Sequence, residues 1–413
     1  MKSLAQSSTS LDKMIGEAAA AAPEMVAKCL ERADVALSLA LKSERFGGGP
    51  RFTPIRIDGR TVVTTLGVVT FRRRYYRDES TKRCCHPLDE IVGLSPRSRM
   101  SDEMRLRVFK AAGEMPYSKA ARWASPGGPV SKSTVARIVA DVQVEASPKP
   151  VARAGKVHVQ IDEKYIAMEG NARKQRLITA TVFDGISSHG KRNKLEHRVL
   201  LSGLELGAVA GRINEALSDV FRLKEGDSVF LSGDLAPYIR KFGERLSFPS
   251  SYVPDKWHIA HFLSTEDRPV GADGAVERLE EIERSGDLAG LSEEALKVYR
   301  LWRRNKAMFE AWLDPDYKGC CQEAMNSHYY AARFGKLGGR FKKETVRKLS
   351  LAMEAQLNGW DLILSSAALK PTDPSALGSL GRPAEDRMRY DIDTSQMSYG
   401  MRKLFSQIEY GVL

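Results

Sequence analysis

A chain of 413 residues is longer than one hydrophobic core usually organises, so two or three domains are expected. Hydrophobic residues at 42% beside charged residues at 28% exclude a chain disordered throughout, and no apolar run approaches the roughly 20 residues that cross a bilayer. Lys and Arg outnumber Asp and Glu by 64 to 52, a net charge of +12 that favours a polyanionic partner, nucleic acid first and not a membrane.

Asp12, Lys13 and Glu17 interrupt any apolar leader near the start, so a cytoplasmic, nucleoid-associated protein is expected. Residues 11–45, rich in Ala and Leu around Pro23, read as one or two amphipathic helices ending at Gly47-Gly48-Gly49-Pro50. Residues 61–77 form two β-prone runs broken by Gly67, hence a hairpin whose far end carries Arg72, Arg73, Arg74 and Arg77 interleaved with Tyr75 and Tyr76. These arginines suit a duplex backbone, and a solubilised hairpin edge explains them nearly as well. From Ser101 to Val142 the pattern is helical. The breaker Ala124-Ser-Pro-Gly-Gly-Pro-Val130 precedes Ser131 and Ser133, either of which caps a helix with Val135, Ile138 and Val139 on one face. Lys132, Thr134 and Arg137 are left facing outward, as in a helix-turn-helix or a plain helical pair.

Residues 147–155 read as a linker into strands. Val157, Val159 and Ile161 alternate with His158, Gln160 and Asp162. Strands over Leu177–Phe183 and Leu195–Leu201 complete a meander. A helix over Ala208–Leu223, a strand over Ser228–Leu231 ending in Ser232-Gly233-Asp234, a helix over Pro237–Leu246 and a strand over Ser251–Val253 ending at Asp255 follow. The order β-β-β-α-β-α-β is that of the ribonuclease H-like fold. A helical stretch from Ile259 to Leu313 separates this sheet from the segment Cys321–Tyr330, and residues 370–390 are loop-like before an amphipathic Ser395–Tyr410.

The expected organisation is therefore an α/β chain: an N-terminal helical region (1–50), a basic β-hairpin region (51–100), a helix-turn-helix-like region (101–146), a ribonuclease H-like core (155–258), a helical insertion (259–315), the last core helix with a basic segment (316–365) and a C-terminal tail (366–413). Five cysteines, with Cys84-Cys85 and Cys320-Cys321 in adjacent pairs, suit neither a disulfide framework nor zinc spacing. Reduced structural thiols are expected, the alternative being a composite site of both pairs with His86.

Asp162 ends the first expected core strand and Asp234 the strand after the first helix; in this topology the two strands are neighbours, so the carboxylates converge. Two Mg²⁺ or Mn²⁺ ions need bridging and flanking oxygen ligands, which carboxylates supply. Glu323 offers the third acid, with Asn326 and Ser327 on its helical face; His328 lies about 140° around the helix. Each acid is equally an ordinary surface residue when taken singly. Glu163 points to the opposite strand face, as a salt-bridge partner, while His258, three residues after Asp255, faces the site or packs in the core. Arg333, Lys336, Arg340, Lys342, Lys343, Arg347 and Lys348 follow Glu323 closely enough to track phosphates.

The run Thr65-Leu-Gly-Val-Val-Thr-Phe-Arg-Arg-Arg-Tyr-Tyr76, then Pro87-Leu-Asp-Glu-Ile-Val-Gly-Leu94 and Val130-Ser-Lys-Ser-Thr-Val135, resembles the N-terminal half of the ISLre-group insertion-sequence transposases. Ile161-Asp-Glu163, Asp184-Gly-Ile186, Gly233-Asp234 and Asp255-Lys-Trp-His258 look like that family's successive sheet motifs, in the same order over roughly residues 60–335. The resemblance implies a DDE transposase with Asp162, Asp234 and Glu323 at its three acidic positions, acting with two divalent ions on terminal inverted repeats and target double-stranded DNA as a homodimer or larger assembly. Leu235 stands where the family pattern has a second glycine, and Met325 where it has a histidine; His328 is kept. The alternatives are a nuclease that cuts without joining and a regulator that binds DNA with an inactive triad.

Overall fold

The computed structural model describes residues 11–366, apart from 126, 127, 129, 154, 190, 191, 266, 267 and 336–338. It is a mixed α/β protein. Helix α1 (Leu11–Leu41) is one continuous helix with Pro23 inside it. It lies on a three-stranded antiparallel sheet of β1 (Phe52–Thr64), β2 (Gly67–Asp78) and β3 (Arg83–Cys85). The hairpin closes with Thr64 opposite Gly67, and Gly67 takes φ +126°; a Cβ there would stand 3.0 Å from the Pro23 ring. Proline inside α1 is thus seated on the turn that needs glycine. Ala27, Val62, Val69, Phe71 and Leu88 form the shared apolar core. The first strand begins nine residues before the expected Thr61, because Arg56 to Gly59 continue the ladder to Tyr75–Arg72 despite their polarity.

Helices α2 (Pro87–Ile91), α3 (Asp102–Glu114), α4 (Tyr117–Ala124) and α5 (Lys132–Asp141) follow. Ser131 caps α5, its hydroxyl accepting from Thr134 N at 3.1 Å, and Val135, Ile138 and Val139 are buried. A strand not foreseen from sequence, β4 (Val142–Ser147), then pairs antiparallel with the last described strand, β12 (Asp361–Ser366).

The central sheet uses β5 (Val157–Ile166), β6 (Gln175–Phe183), β9 (Val199–Gly203), β10 (Val229–Gly233) and β11 (Ser250–Pro254), in the spatial order β9-β6-β5-β10-β11. The first three are antiparallel neighbours; β10 joins β5 and β11 in parallel. The expected single strand over Leu195–Leu201 is two: β7 (Gly185–His189) and β8 (Arg192–Glu196) make a separate hairpin, and the chain breaks at His197 with φ +46° before β9. The break is held by the imidazole, whose Nδ1 lies 2.9 Å from Asp184 Oδ1.

One face of the sheet carries Val157, Val159, Ile161, Ala180, Val182 and Leu231, packed with α6 (Leu206–Glu215) through Val209 and Ile213 and with α7 (Pro237–Arg240) through Ile239. The same core continues through α13 (Lys343–Asn358) to α3, α4 and α5, so the helix pair around Ser131 is built onto the sheet's own core. Asn358 closes the outer edge of β9, its amide pairing with both Leu200 N (2.8 Å) and Leu200 O (2.9 Å), which leaves that edge shielded. The other face carries His158, Phe230 and Val253 toward a second core. That core is built by α8 (Lys256–Leu263), α9 (Ala275–Ser285), α10 (Glu293–Arg304) and α11 (Lys306–Glu310), with Trp312 and Tyr317. Both faces of β5 are therefore dry over Val157–Ile161, the situation of a central strand rather than of a half-exposed one. The segment Ser395–Tyr410 and the loop-like 370–390 lie outside the described residues.

Candidate active site

Strands β5 and β10 run parallel with Ile161 beside Gly233, so Asp162 and Asp234 come next on adjacent strands at the same level. Strands β10 and β11 place Gly233 beside Pro254, and Asp255 follows, its N–H donating to Gly233 O at 3.1 Å. Side chains alternate along a strand, so Asp162 shares the face of His158 and Gln160, Asp234 that of Phe230 and Ser232, and Asp255 that of Val253. Three carboxylates thus leave three neighbouring strands in one row, at the ladder spacing of about 4.8 Å per strand. Thr179, opposite Asp162 on β6, continues the row. Asp162 does not end its strand: β5 runs on to Ile166 along β6 alone, and the row marks where β10 stops. Gly233 makes the close approach possible, since an added Cβ would lie 2.6 Å from Ile161 O and 2.8 Å from Ile239 Cγ2.

The carboxylates are individually held. Asp162 Oδ1 accepts from Glu163 N at 2.7 Å and its Oδ2 from Asn326 Nδ2 at 2.6 Å. Asn326 is itself fixed by Thr179, whose hydroxyl lies 2.5 Å from its Oδ1 and accepts from Gln322 Nε2 at 3.0 Å. Asp234 Oδ1 accepts from Ala236 N at 2.9 Å, and Tyr252 steadies the strand end by donating to Asp234 O at 2.6 Å. Asp255 caps α8 through Trp257 N at 2.9 Å, and its other oxygen lies 2.8 Å from His258 Nδ1. Burial raises the Asp162 pKa, and the Asp234 charge adds to the rise. His258 is pushed the other way in charge: its bond to Asp255 raises its pKa, and the charges of Asp255, Asp234 and Asp162 reinforce this. The shift favours the charged imidazole, whose positive charge would offset part of the row's negative potential.

The segment covering the row is docked by Gln160, which donates to Gly319 O at 2.5 Å and accepts from Cys321 N at 2.9 Å. Helix α12 (Gln322–Met325), continued by a wider turn over Asn326–Gly335, follows at once. Glu323 stands in this helix between Gln322 and Asn326, both tied to the row; its side chain lies outside the described residues. Ser327 and His328 are exposed. Among the described residues no three His, Cys, Asp or Glu side chains form a metal-holding group. The row offers hard oxygen donors from adjacent strands, the donor chemistry that Mg²⁺ or Mn²⁺ prefers. All five cysteines are free thiols, in separate places: Cys84 and Cys85 on β3, Cys320 and Cys321 before α12. Burial pushes the Cys85 thiol up to about 12 and Cys321 up to about 11.

The basic residues singled out from sequence divide by placement. Arg72, Arg77, Lys132, Arg137, Arg340, Lys342 and Lys343 are exposed and Thr134 is half-buried. Arg73 is turned inward, with Nε 2.8 Å from Asp89, and Arg74 is paired with Asp34. Arg333 is buried, donating to Ala112 O at 3.0 Å with its guanidinium over the Phe341 ring, and Lys348 donates to Ala140 O at 2.7 Å. Arg73, Arg333 and Lys348 tie elements together rather than forming open surface, because each finds an acceptor that the fold buries. Lys336 lies outside the described residues. Arg347 is paired with Glu344, and Glu163 with Arg176.

The sequence profile of an uncharacterised protein family, UPF0236, matches residues 11–311, well over half of the chain. The chain belongs to UPF0236. Two UPF0236 proteins of Caldanaerobacter subterraneus subsp. tengcongensis are each 21% identical to it over 334 residues, which cover 74% of this chain and 66% and 70% of theirs. The chain thus spans about two thirds of the length of the curated relatives it matches. A third UPF0236 protein, 21% identical over 328 residues (74% of this chain, 69% of its own), carries eleven locus designations of that one strain. Many paralogues within one bacterium are consistent with a mobile-element family. Asp162, Asp234, Asp255 and His258 fall inside the segment that UPF0236 matches, and Glu323 falls beyond it.

Sequence reasoning placed Asp162 and Asp234 on neighbouring strands and Asp255 at a strand end, but did not align Asp255 with them. The signal was available in Gly233-Asp234 and Pro254-Asp255, two short buried strands that each stop at an aspartate. Thr179 and Gln322 carried no such signal; their roles depend on β6 and α12 meeting.

Proposed function

We propose that this UPF0236 chain is a DNA transposase of an insertion sequence, cleaving and joining strands by metal-dependent phosphoryl transfer at the acidic row. The observation that carries the reading is the in-register pairing of β5 with β10, which sets Asp162 beside Asp234 on one sheet face. The element order and the spatial order β9-β6-β5-β10-β11 support a ribonuclease H-like core. The net charge of +12 and the multiplicity of relatives in one genome support a DNA substrate carried on a mobile element.

Divalent ions of the Mg²⁺ or Mn²⁺ kind supply Lewis acidity to the attacking and leaving oxygens of a phosphodiester. Asp162 and Asp234 are the residues that would hold them, with Glu323 as the proposed third carboxylate. Asn326 keeps the Asp162 carboxylate turned to the row, and Asp255 orients His258 so that Nε2 is its free donor toward a phosphate oxygen. Gln160, by docking Gly319 and Cys321, seats α12 over the site. Hydrolysis of the strand and attack by its 3′-hydroxyl on target DNA then use the same side chains. The exposed Lys132 and Arg137 of α5 and Arg72 and Arg77 of β2 contact duplex backbone, and two DNA ends call for at least two copies of the chain.

The test is a cell-based transposition assay with Asp162→Asn and Asp234→Asn: transposition falls to background in both. Retained transposition in either would overturn the enzyme reading and leave a DNA-binding regulator. Incubating pre-cleaved ends with target plasmid and Mg²⁺ separates joining from simple nuclease action, which yields no joined product.

A further inference from the structure

Beside the acidic row stands an aromatic shelf that none of these roles uses. Trp257 sits in the first turn of α8, its backbone N–H bound to Asp255. Its indole lies parallel on the His261 ring, centroids 5.3 Å apart with 2° between planes, and edge-on to His258 at 5.0 Å and 89°. The ring is 51% exposed, whereas Trp302, Trp312 and Trp360 are buried. Trp123 is the other exposed indole, and it already carries the Arg107 guanidinium 5.2 Å from its ring centre. Trp257 is therefore a large apolar face held in a fixed plane by two imidazoles, with no cation over it among the described residues and the acidic row at its side.

The chemistry of the surroundings selects what such a face accepts. Three aspartates stand in the adjoining row, so a group seated on the ring itself is favoured when it is neutral rather than anionic. An apolar peptide side chain would gain burial but finds no groove lined with apolar neighbours, since His258, His261 and Asp255 flank the ring. A nucleobase is neutral, flat and polar at its rim, and base–indole stacking tolerates any sequence. Because the plane is preset by His261, little side-chain freedom is lost on stacking.

We propose that Trp257 stacks an unpaired nucleobase of the strand whose phosphate is presented to Asp162 and Asp234. The inference rests on the nucleic-acid reading above. It assigns Trp257 the work of holding a strand end out of the duplex, so that the phosphate beside the base reaches the row. A duplex end is then engaged more tightly when it is already single-stranded.

The experiment uses the full chain in metal-free buffer with two probes: a blunt duplex, and the same duplex bearing a short thymidine extension with one 2-aminopurine at the junction. Wild type is expected to quench the 2-aminopurine and to bind the extended duplex more tightly than the blunt one. Trp257→Ala loses the quenching and about tenfold in affinity for the extended duplex, with blunt-duplex affinity unchanged. Trp257→Phe, which keeps a stacking ring, retains most of both, and circular dichroism checks that each variant is folded. If Trp257→Ala binds and quenches like wild type, or weakens both duplexes alike, the stacking role is wrong while the nucleic-acid reading stands. If wild type binds neither duplex, that reading falls and the stacking role falls with it.

Discussion

Replacing Gly233 by alanine tests how tightly the row is built. A Cβ at this position would meet Ile161 O at 2.6 Å, and an ordinary contact begins at 3.4 Å, so β5 and β10 must separate by 3.4 − 2.6 = 0.8 Å or the peptide must tilt. The obstructing atom is a ladder carbonyl and cannot rotate aside as a side chain does. Stretching a hydrogen bond by that much carries it past the range where it contributes, at about 1 kcal/mol for each bond lost. The second obstruction, Ile239 Cγ2 at 2.8 Å, belongs to a fully buried side chain, and overpacking of this kind costs about 1–3 kcal/mol. Alanine recovers up to about 1 kcal/mol by restricting the unfolded chain. The net expectation for one bond lost is a destabilisation of about 1–4 kcal/mol, read as a lower denaturation midpoint at unchanged slope. Gly211→Ala in α6, where nothing lies within 4 Å, is the control and gains about 0.5–1 kcal/mol. Strand cleavage should fall further in Gly233→Ala than the loss of folded protein explains, because Asp162 and Asp234 move apart. A Gly233→Ala protein within about 0.5 kcal/mol of wild type would refute the claim that the two backbones are in forced contact.

Three other perturbations bear on the same structure. Asp162 has a raised folded pKa, so its contribution to stability is full below the ordinary carboxylate range and is lost as pH rises through the folded value. The difference in melting temperature between wild type and Asp162→Asn should therefore favour wild type more at pH 4 than at pH 7, and a difference independent of pH would count against a buried charge. Glu354 is fully buried and takes bonds from Arg212 Nη2 at 2.6 Å, Ser202 Oγ at 2.5 Å and Tyr330 Oη at 3.3 Å. Arg212→Met leaves that carboxylate uncompensated and should cost about 3–5 kcal/mol at neutral pH, much of it regained in Arg212→Met/Glu354→Leu; a double variant no better than the single one contradicts this account. His158 is pushed down to about 4 by burial between Phe183 and Phe230, so its stabilising contribution holds above its ordinary range near 6.5 and is lost as pH falls toward 4. His158→Phe should flatten that acid limb in a series of melting curves, and an unchanged limb would point to other groups.

The parts legible in sequence were those whose cause is local. Alternation of Val157, Val159 and Ile161 identified β5, the cap offered at Ser131 marks a helix start that the structure keeps, and the Thr65-Leu66-Gly67 turn announced the hairpin. What misled was also local evidence, applied where distant partners decide. Leu195–Leu201 reads as one strand from its ends at Leu195 and Val199–Leu201, yet His197 bonds to Asp184 and turns the chain. Arg73 and Arg333 look like open cations until Asp89 and the carbonyl of Ala112 are found beside them. Val142–Ser147 reads as the end of a helical region because its strand partner is Asp361–Ser366, at the far end of the described chain.

By itself the amino-acid sequence determined the α/β character, the strand ends at Asp234 and Asp255, and the excess of positive charge, since these follow from residue periodicity and composition within short windows. Only the tertiary structure decided that Asp162, Asp234 and Asp255 share one face and one level, that Asn326 and Thr179 lock the first of them, and which arginines remain open to solvent. Register between parallel strands depends on how two cores pack against the sheet from opposite sides, and a shift of a single residue would have turned every one of those carboxylates to the other face.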